Sequence, residues 1–145
     1  MENLFDRHRG LLLDALKALE TRAFWTPFPE VPSGKIYGES ARADGDAAFS
    51  ALLNSSFSLP GHPQVKEVGK EVSPWGLALG VRYPAADAAT LIAASQAAAK
   101  DWAAASPEAR TGICLEILTR PNGQSFLMAN AVMHTPGQAF PMAFQ

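Results

Sequence analysis

Proline sets where helices can run in this chain. A proline inside a helix removes a backbone donor and clashes with the preceding turn, at a cost of about 3 kcal/mol, and it pushes the residue before it into extended backbone. Of the 11 prolines in 145 residues, Pro27, Pro29 and Pro32, then Pro60 and Pro63, then Pro107 and Pro121 mark the places where helices must start or stop. The windows between them can be read one at a time.

In the first window Leu4, Phe5, His8, Leu12, Ala15, Leu16 and Leu19 recur at spacings of three and four over Asn3–Thr21, one face of an amphipathic helix expected to stop near Trp25. Phe24–Gly38 follows as an irregular connector. Its Phe24, Trp25, Phe28, Val31, Ile36 and Tyr37 are too apolar for a free linker, so it is expected to fold back as an apolar strap over another element. A second helix is expected over Ser40–Asn54 with Phe49, Leu52 and Leu53 inward, although Gly45 weakens its helical propensity by about 1 kcal/mol. The Pro60-Gly61-His62-Pro63 cluster then breaks the chain.

Between Lys66 and Tyr83 the apolar period shortens to near two, with Val68, Val72, Leu77, Leu79 and Val81 flanking Ser73-Pro74-Trp75-Gly76. Pro74 suits the second position of a turn and Gly76 the fourth, so this segment reads as a β-hairpin. From about Ala86 to Ala105 the chain is alanine-rich, with Leu91, Ser95, Ala98 and Trp102 on one helical stripe and Ile92 beside it. Ser106-Pro107-Glu108 is a helix start: a hydroxyl to accept an orphan N–H, a proline at the first helical position and an acid in the dipole field. That helix is expected to run to about Arg120 with Ile113, Cys114, Ile117 and Leu118 on its apolar face. Pro121 should either separate it from a further helix carrying Phe126, Leu127, Val132 and Met133 or kink one helix sharply there. The resulting order is helix, apolar strap, helix, β-hairpin, then two to three helices. This is an α+β chain, predominantly helical, read as a single domain over residues 1–145.

Charge and cysteine content exclude several classes. With 12 Lys+Arg against 14 Asp+Glu, a net charge of -2 and no basic run, the chain lacks the electrostatic footprint of nucleic-acid binding. Glu2, Asp6, Arg7, His8 and Arg9 crowd the amino terminus, and no apolar run approaches ~18 residues. Neither a signal peptide nor a membrane span is therefore expected, and a cytoplasmic location is. Cys114 is the single cysteine, so it can form no internal disulfide and cannot begin a structural zinc cage.

No G-x-G-x-x-G, G-x-x-x-x-G-K-S/T, H-E-x-x-H or G-x-S-x-G pattern occurs, which removes the signatures of dinucleotide, phosphate, zinc and serine-hydrolase sites. Cys114 lies mid-helix on the expected apolar stripe, where a thiol would be shielded from reagents. His8, His62 and His134 belong to a helix face, a proline-rich loop and a helix terminus, and a cationic ring is favourable in the last of these contexts. Glu39, Asp44 and Asp46 read as solvated helix-start charges, and Glu67, Lys70 and Glu71 as an exposed strand face. Trp25, Trp75 and Trp102 read as core or interface anchors. These residues define no catalytic, cofactor-binding or metal constellation.

The run Glu71-Val72-Ser73-Pro74-Trp75-Gly76-Leu77-Ala78-Leu79-Gly80-Val81, an alanine-rich helix ending in Asp101-Trp102, and the start Ser106-Pro107-Glu108-Ala109-Arg110 resemble, in that order, the amino-terminal region of aldehyde dehydrogenases. The segments WTPFPEVPSGKIYGES, EVSPWG, SPEARTGICLEIL and AVMHTPGQAFPMAFQ resemble more specifically the phenylacetic acid degradation protein PaaN family within that group. The resemblance implies NAD(P)-linked aldehyde oxidation by the complete protein: a cysteine attacks the carbonyl, hydride leaves to the nicotinamide and water releases the acid. It also implies that the nucleotide-binding segment and the nucleophile lie downstream, so Cys114 does not correspond to that nucleophile. No catalytic, cofactor or metal residue carries over. Pro121, Pro136 and Pro141 depart from the family pattern, where helix-compatible residues are usual.

A chain lacking the domains against which its helices would pack is expected to leave apolar faces uncovered. Self-association is therefore expected, through Leu91, Ile92, Trp102, Ile113, Ile117, Phe126 or Phe140. Two other readings stand beside the dehydrogenase one. The first is a free-standing interaction module that docks a dehydrogenase or a pathway partner. The second is a small cofactor-free enzyme using His62 and His134 with acidic partners.

Overall fold

The computed structural model describes residues 3–144; Glu2 of the charged amino terminus and Gln145 lie outside them. Among the described residues, seven helices and two strands follow in the order α1 (Leu4–Thr21), α2 (Gly34–Tyr37), α3 (Ala41–Leu52), β1 (Lys66–Val68), β2 (Tyr83–Ala85), α4 (Ala88–Ala104), α5 (Pro107–Asn122), α6 (Ser125–His134) and α7 (Phe140–Ala143). This is the mostly helical chain with one antiparallel hairpin that the sequence predicts. Its residues gather in two compact units, Met1–Glu30 with Asp101–Gly123, and Val31–Lys100 with Gln124–Gln145.

In the first unit α1 packs on α5. Asn3 opens α1 by accepting the Phe5 N–H on Oδ1 at 3.0 Å. The helix ends earlier than its prolines require. Arg22 turns into the left-handed region (φ 52), and the N–H groups of Arg22 and Ala23 bond back to the Leu19 and Ala18 carbonyls. Leu4 and Phe5 lie against Gly112, and one turn further along both helices His8 meets Glu116, so α1 and α5 run side by side in the same sense. Glycine is what allows this approach: a Cβ at Gly112 would collide with the Phe5 backbone nitrogen and sit 2.8 Å from the Leu4 carbonyl carbon. The apolar stripe holds as far as Ala15, whereas Leu16 and Leu19 are 47% and 75% exposed.

In the second unit α3 packs on α6, again in the same sense, with Gly45 against Phe126, Asp46 against Asn130 and Phe49 against His134. Two apolar clusters flank this pair. Phe126, Ala129, Phe140 and Phe144 form one, with Tyr37, Ala41 and Met133 packed against it; Phe49, Leu79 and Val81 form the other, joined by Leu53, Tyr83, Leu127 and Ala131. The hairpin register is Lys66↔Ala85, Glu67↔Pro84 and Val68↔Tyr83. The expected turn is present. The Gly76 N–H bonds the Ser73 carbonyl at 2.8 Å, and the Ser73 N–H bonds the Leu77 carbonyl at 2.7 Å.

Several expectations need correction. The segment Phe24–Gly38 does not act as a strap: Phe24, Val31 and Ile36 are exposed, and the segment forms the one-turn α2, capped by Ser33. Only Tyr37 at its end enters the core, edge-on to Phe126 and Phe144, because the prolines fix an extended course that lets side chains point outward. On α3 Phe49 is buried, but Leu52 at the final turn is exposed. On α5 the buried side is not the predicted one. Gly112 faces α1, while Cys114, Ile117 and Leu118 are exposed, since the helix turns its smallest residue and Glu116 towards α1. The helix also carries Pro121 in its last turn before Gly123 closes it, and α6 follows as a separate helix. Pro141 sits at the start of α7, where its fixed φ and missing donor are accommodated.

Candidate functional site

Two clusters concentrate the polar chemistry. In the first unit His8, 8% exposed, places Nε2 2.7 Å from Glu116 Oε2. An ionised carboxylate can only accept, so the proton resides on Nε2. Arg120 Nε donates to the other Glu116 oxygen at 2.8 Å, and Arg7 approaches Oε2 at 3.4 Å. Hydrogen bonds from His8 and then Arg120, together with the charges of Arg120 and Arg7, hold the Glu116 carboxyl down to about 2. All four groups serve one another across α1 and α5, so the cluster acts as a clamp between two helices.

In the second unit the Ser73 hydroxyl, 3% exposed, lies 3.0 Å from His134 Nδ1 and accepts the Trp75 N–H at 3.2 Å. The His134 ring stacks on Phe49, with centroids 5.0 Å apart and planes 9° apart, and Trp75 meets it edge-on at 5.7 Å. Pro74 packs against Gly137 on the α6–α7 connection. A serine beside a histidine suggests a nucleophile and its base, but this hydroxyl is buried and engaged by a backbone N–H, so no carbonyl substrate reaches it. The cluster pins the hairpin turn onto the end of α6. One turn back along α6, Asn130 Nδ2 donates to Asp46 Oδ1 at 2.8 Å and to the Phe126 carbonyl at 3.0 Å, and Arg42 Nε pairs with Asp46 at 3.0 Å.

The structure thus separates the histidines, placing His8 and His134 in different clusters and His62 in the Pro60–Pro63 turn, and no group of three metal-ligating side chains converges among the described residues. Cys114 is exposed, contrary to the shielded thiol expected from the helical stripe. Asp46 is not simply solvated, since it links α3 to α6, whereas Asp44 accepts from Ser40 at 2.7 Å as a helix-start acid should. Trp25, Trp75 and Trp102 are 37%, 58% and 45% exposed, so none is a core anchor. Glu116, Ser73 and Asn130 are the residues that sequence reasoning did not assign to these contacts. Only Glu116 carried a signal, its i,i+4 spacing from Arg120.

The elements among the described residues differ from those of a dinucleotide cradle. Dinucleotide sites use parallel strands with a glycine-rich turn leading into a helix N-terminus, whereas the sheet among the described residues is a three-residue antiparallel pair. At each of the three longest helices a side chain already accepts from one N-terminal N–H: Asn3 at α1, Asp87 at α4 and Ser106 at α5. The Thr90 backbone N–H and then its hydroxyl hold the Asp87 carboxyl below the usual carboxylate range. An open depression of about 430 Å³ beside β1 is lined by Glu67, Val68, Gly69, Lys70, Glu71 and Arg82. There Arg82 pairs with Glu67 at 3.5 Å and donates to Ser56 at 3.1 Å, so the opposite charges already satisfy each other.

Apolar side chains are also exposed. Leu91 and Ile92 on α4, Ile117 and Leu118 on α5, and Met128 and Met142 near the carboxyl end are all exposed. Phe126 and Phe140, expected among the interface residues, are instead buried in the core beside α3. No helix among the described residues is long and apolar enough to cross a membrane.

No protein-family model and no curated protein matches the chain. Among solved structures, the crystal structure of NAD-dependent aldehyde dehydrogenase from Burkholderia multivorans is similar at 50% sequence identity and a TM-score of 0.87, over 99% of this chain. The match takes up 26% of that protein, so the chain spans about a quarter of the relative's length. The fold of the described residues therefore matches a fragment of that dehydrogenase.

Proposed function

We propose that this chain is the amino-terminal structural segment of a PaaN-like, NAD(P)-dependent aldehyde dehydrogenase of phenylacetate catabolism, cytoplasmic, and inactive by itself. The observation that carries the reading is the 50% identity over 99% of the chain to a dehydrogenase of which it matches only 26%. The PaaN type rests on the four quoted segments, among them WTPFPEVPSGKIYGES and AVMHTPGQAFPMAFQ. The described residues do not fit the nicotinamide nucleotide, so its chemistry and the nucleophile belong to other parts of the complete enzyme.

The contribution of this chain is then mechanical. The buried apolar core gathers around α3 and α6, and the exposed Leu91, Ile92, Ile117 and Leu118 offer apolar surface to a partner. In the complete enzyme that partner is the nucleotide-binding and catalytic portion; in the isolated chain it is a second copy. The substrate reading is tested by NAD and NADP reduction with a longer polypeptide containing this chain, comparing aldehydes of aromatic catabolism with short aliphatic ones. Preference for the aromatic-pathway aldehydes is the expected result. Equal or reversed preference would remove the PaaN assignment while leaving the superfamily in place.

A further inference from the structure

We draw no further inference here: the strongest candidate, the exposed apolar patch of Ile117 and Leu118 on α5, supports only the docking already proposed, because nothing in the structure shows what covers it.

Discussion

Gly45→Ala isolates the close approach of α3 to α6. In an unconstrained helix this change is favourable by about 1 kcal/mol, because alanine has the higher propensity. Here the new methyl would collide with Phe126 Cβ and lie 2.9 Å from the Phe126 carbonyl carbon and 3.1 Å from the Leu127 nitrogen. Backbone, and the Phe126 Cβ fixed to it, cannot swing aside as a side-chain tip can, so α6 must retreat by more than about 1 Å to bring the Phe126 Cβ to ordinary contact distance. A gap of that size forfeits about half or more of each dispersion contact it opens. The clash falls at the upper end of the ~1–3 kcal/mol range for overpacking, which leaves a net loss of about 2 kcal/mol after the propensity gain. Native-state hydrogen exchange reads this locally: α3 and α6 amides should lose protection about 30-fold. Gly10→Ala in α1, where an added Cβ meets nothing within 4 Å, is the control and should raise α1 protection about fivefold. Unchanged or increased protection of α3 and α6 in Gly45→Ala would refute the packing argument.

Gly112→Ala places a methyl against the Leu4–Phe5 backbone, so α1 amides should lose protection about tenfold, opposite in sign to Gly10→Ala within the same unit. Glu116 is held down to about 2 in the folded protein against an ordinary 4.5, so its stabilisation is complete above pH 4.5 and lost as pH falls towards 2. Glu116→Gln should accordingly flatten the acid dependence of the melting temperature in that window, and an unchanged profile would count against the clamp. Ser73→Ala leaves the Trp75 N–H and His134 without their partner and should cost about 1–2 kcal/mol in denaturant titration, with a change in tryptophan emission. Cys114, exposed on α5, should react fully with a thiol reagent in the native protein, whereas protection until unfolding would restore the buried position expected from its helical stripe.

The elements were legible where backbone chemistry dictates them. Ser106 caps α5 through the Ala109 N–H, Ser73-Pro74-Trp75-Gly76 closes the hairpin turn, and Pro121 lies just before the end of α5. These are local rules, and the sequence carries them in full. Helix faces were less legible, because α5 turns Gly112 inward, and a stripe drawn through its largest apolar residues selects the exposed side. The same difficulty hides Gly45, which reads as a weakness in α3 until Phe126 is placed against it. The polar clusters depend on contacts between distant segments, such as His8 with Glu116 and Ser73 with His134, and no periodicity encodes those. The likeness to aldehyde dehydrogenases was legible only as resemblance between segments, because the sequence carries none of the motifs that would reveal a chemistry directly.

The most direct test of the account is aldehyde-dependent reduction of NAD and NADP, measured with this 145-residue chain and with a longer polypeptide that contains it. Activity confined to the longer polypeptide is the predicted result; turnover by the 145-residue chain alone would contradict it.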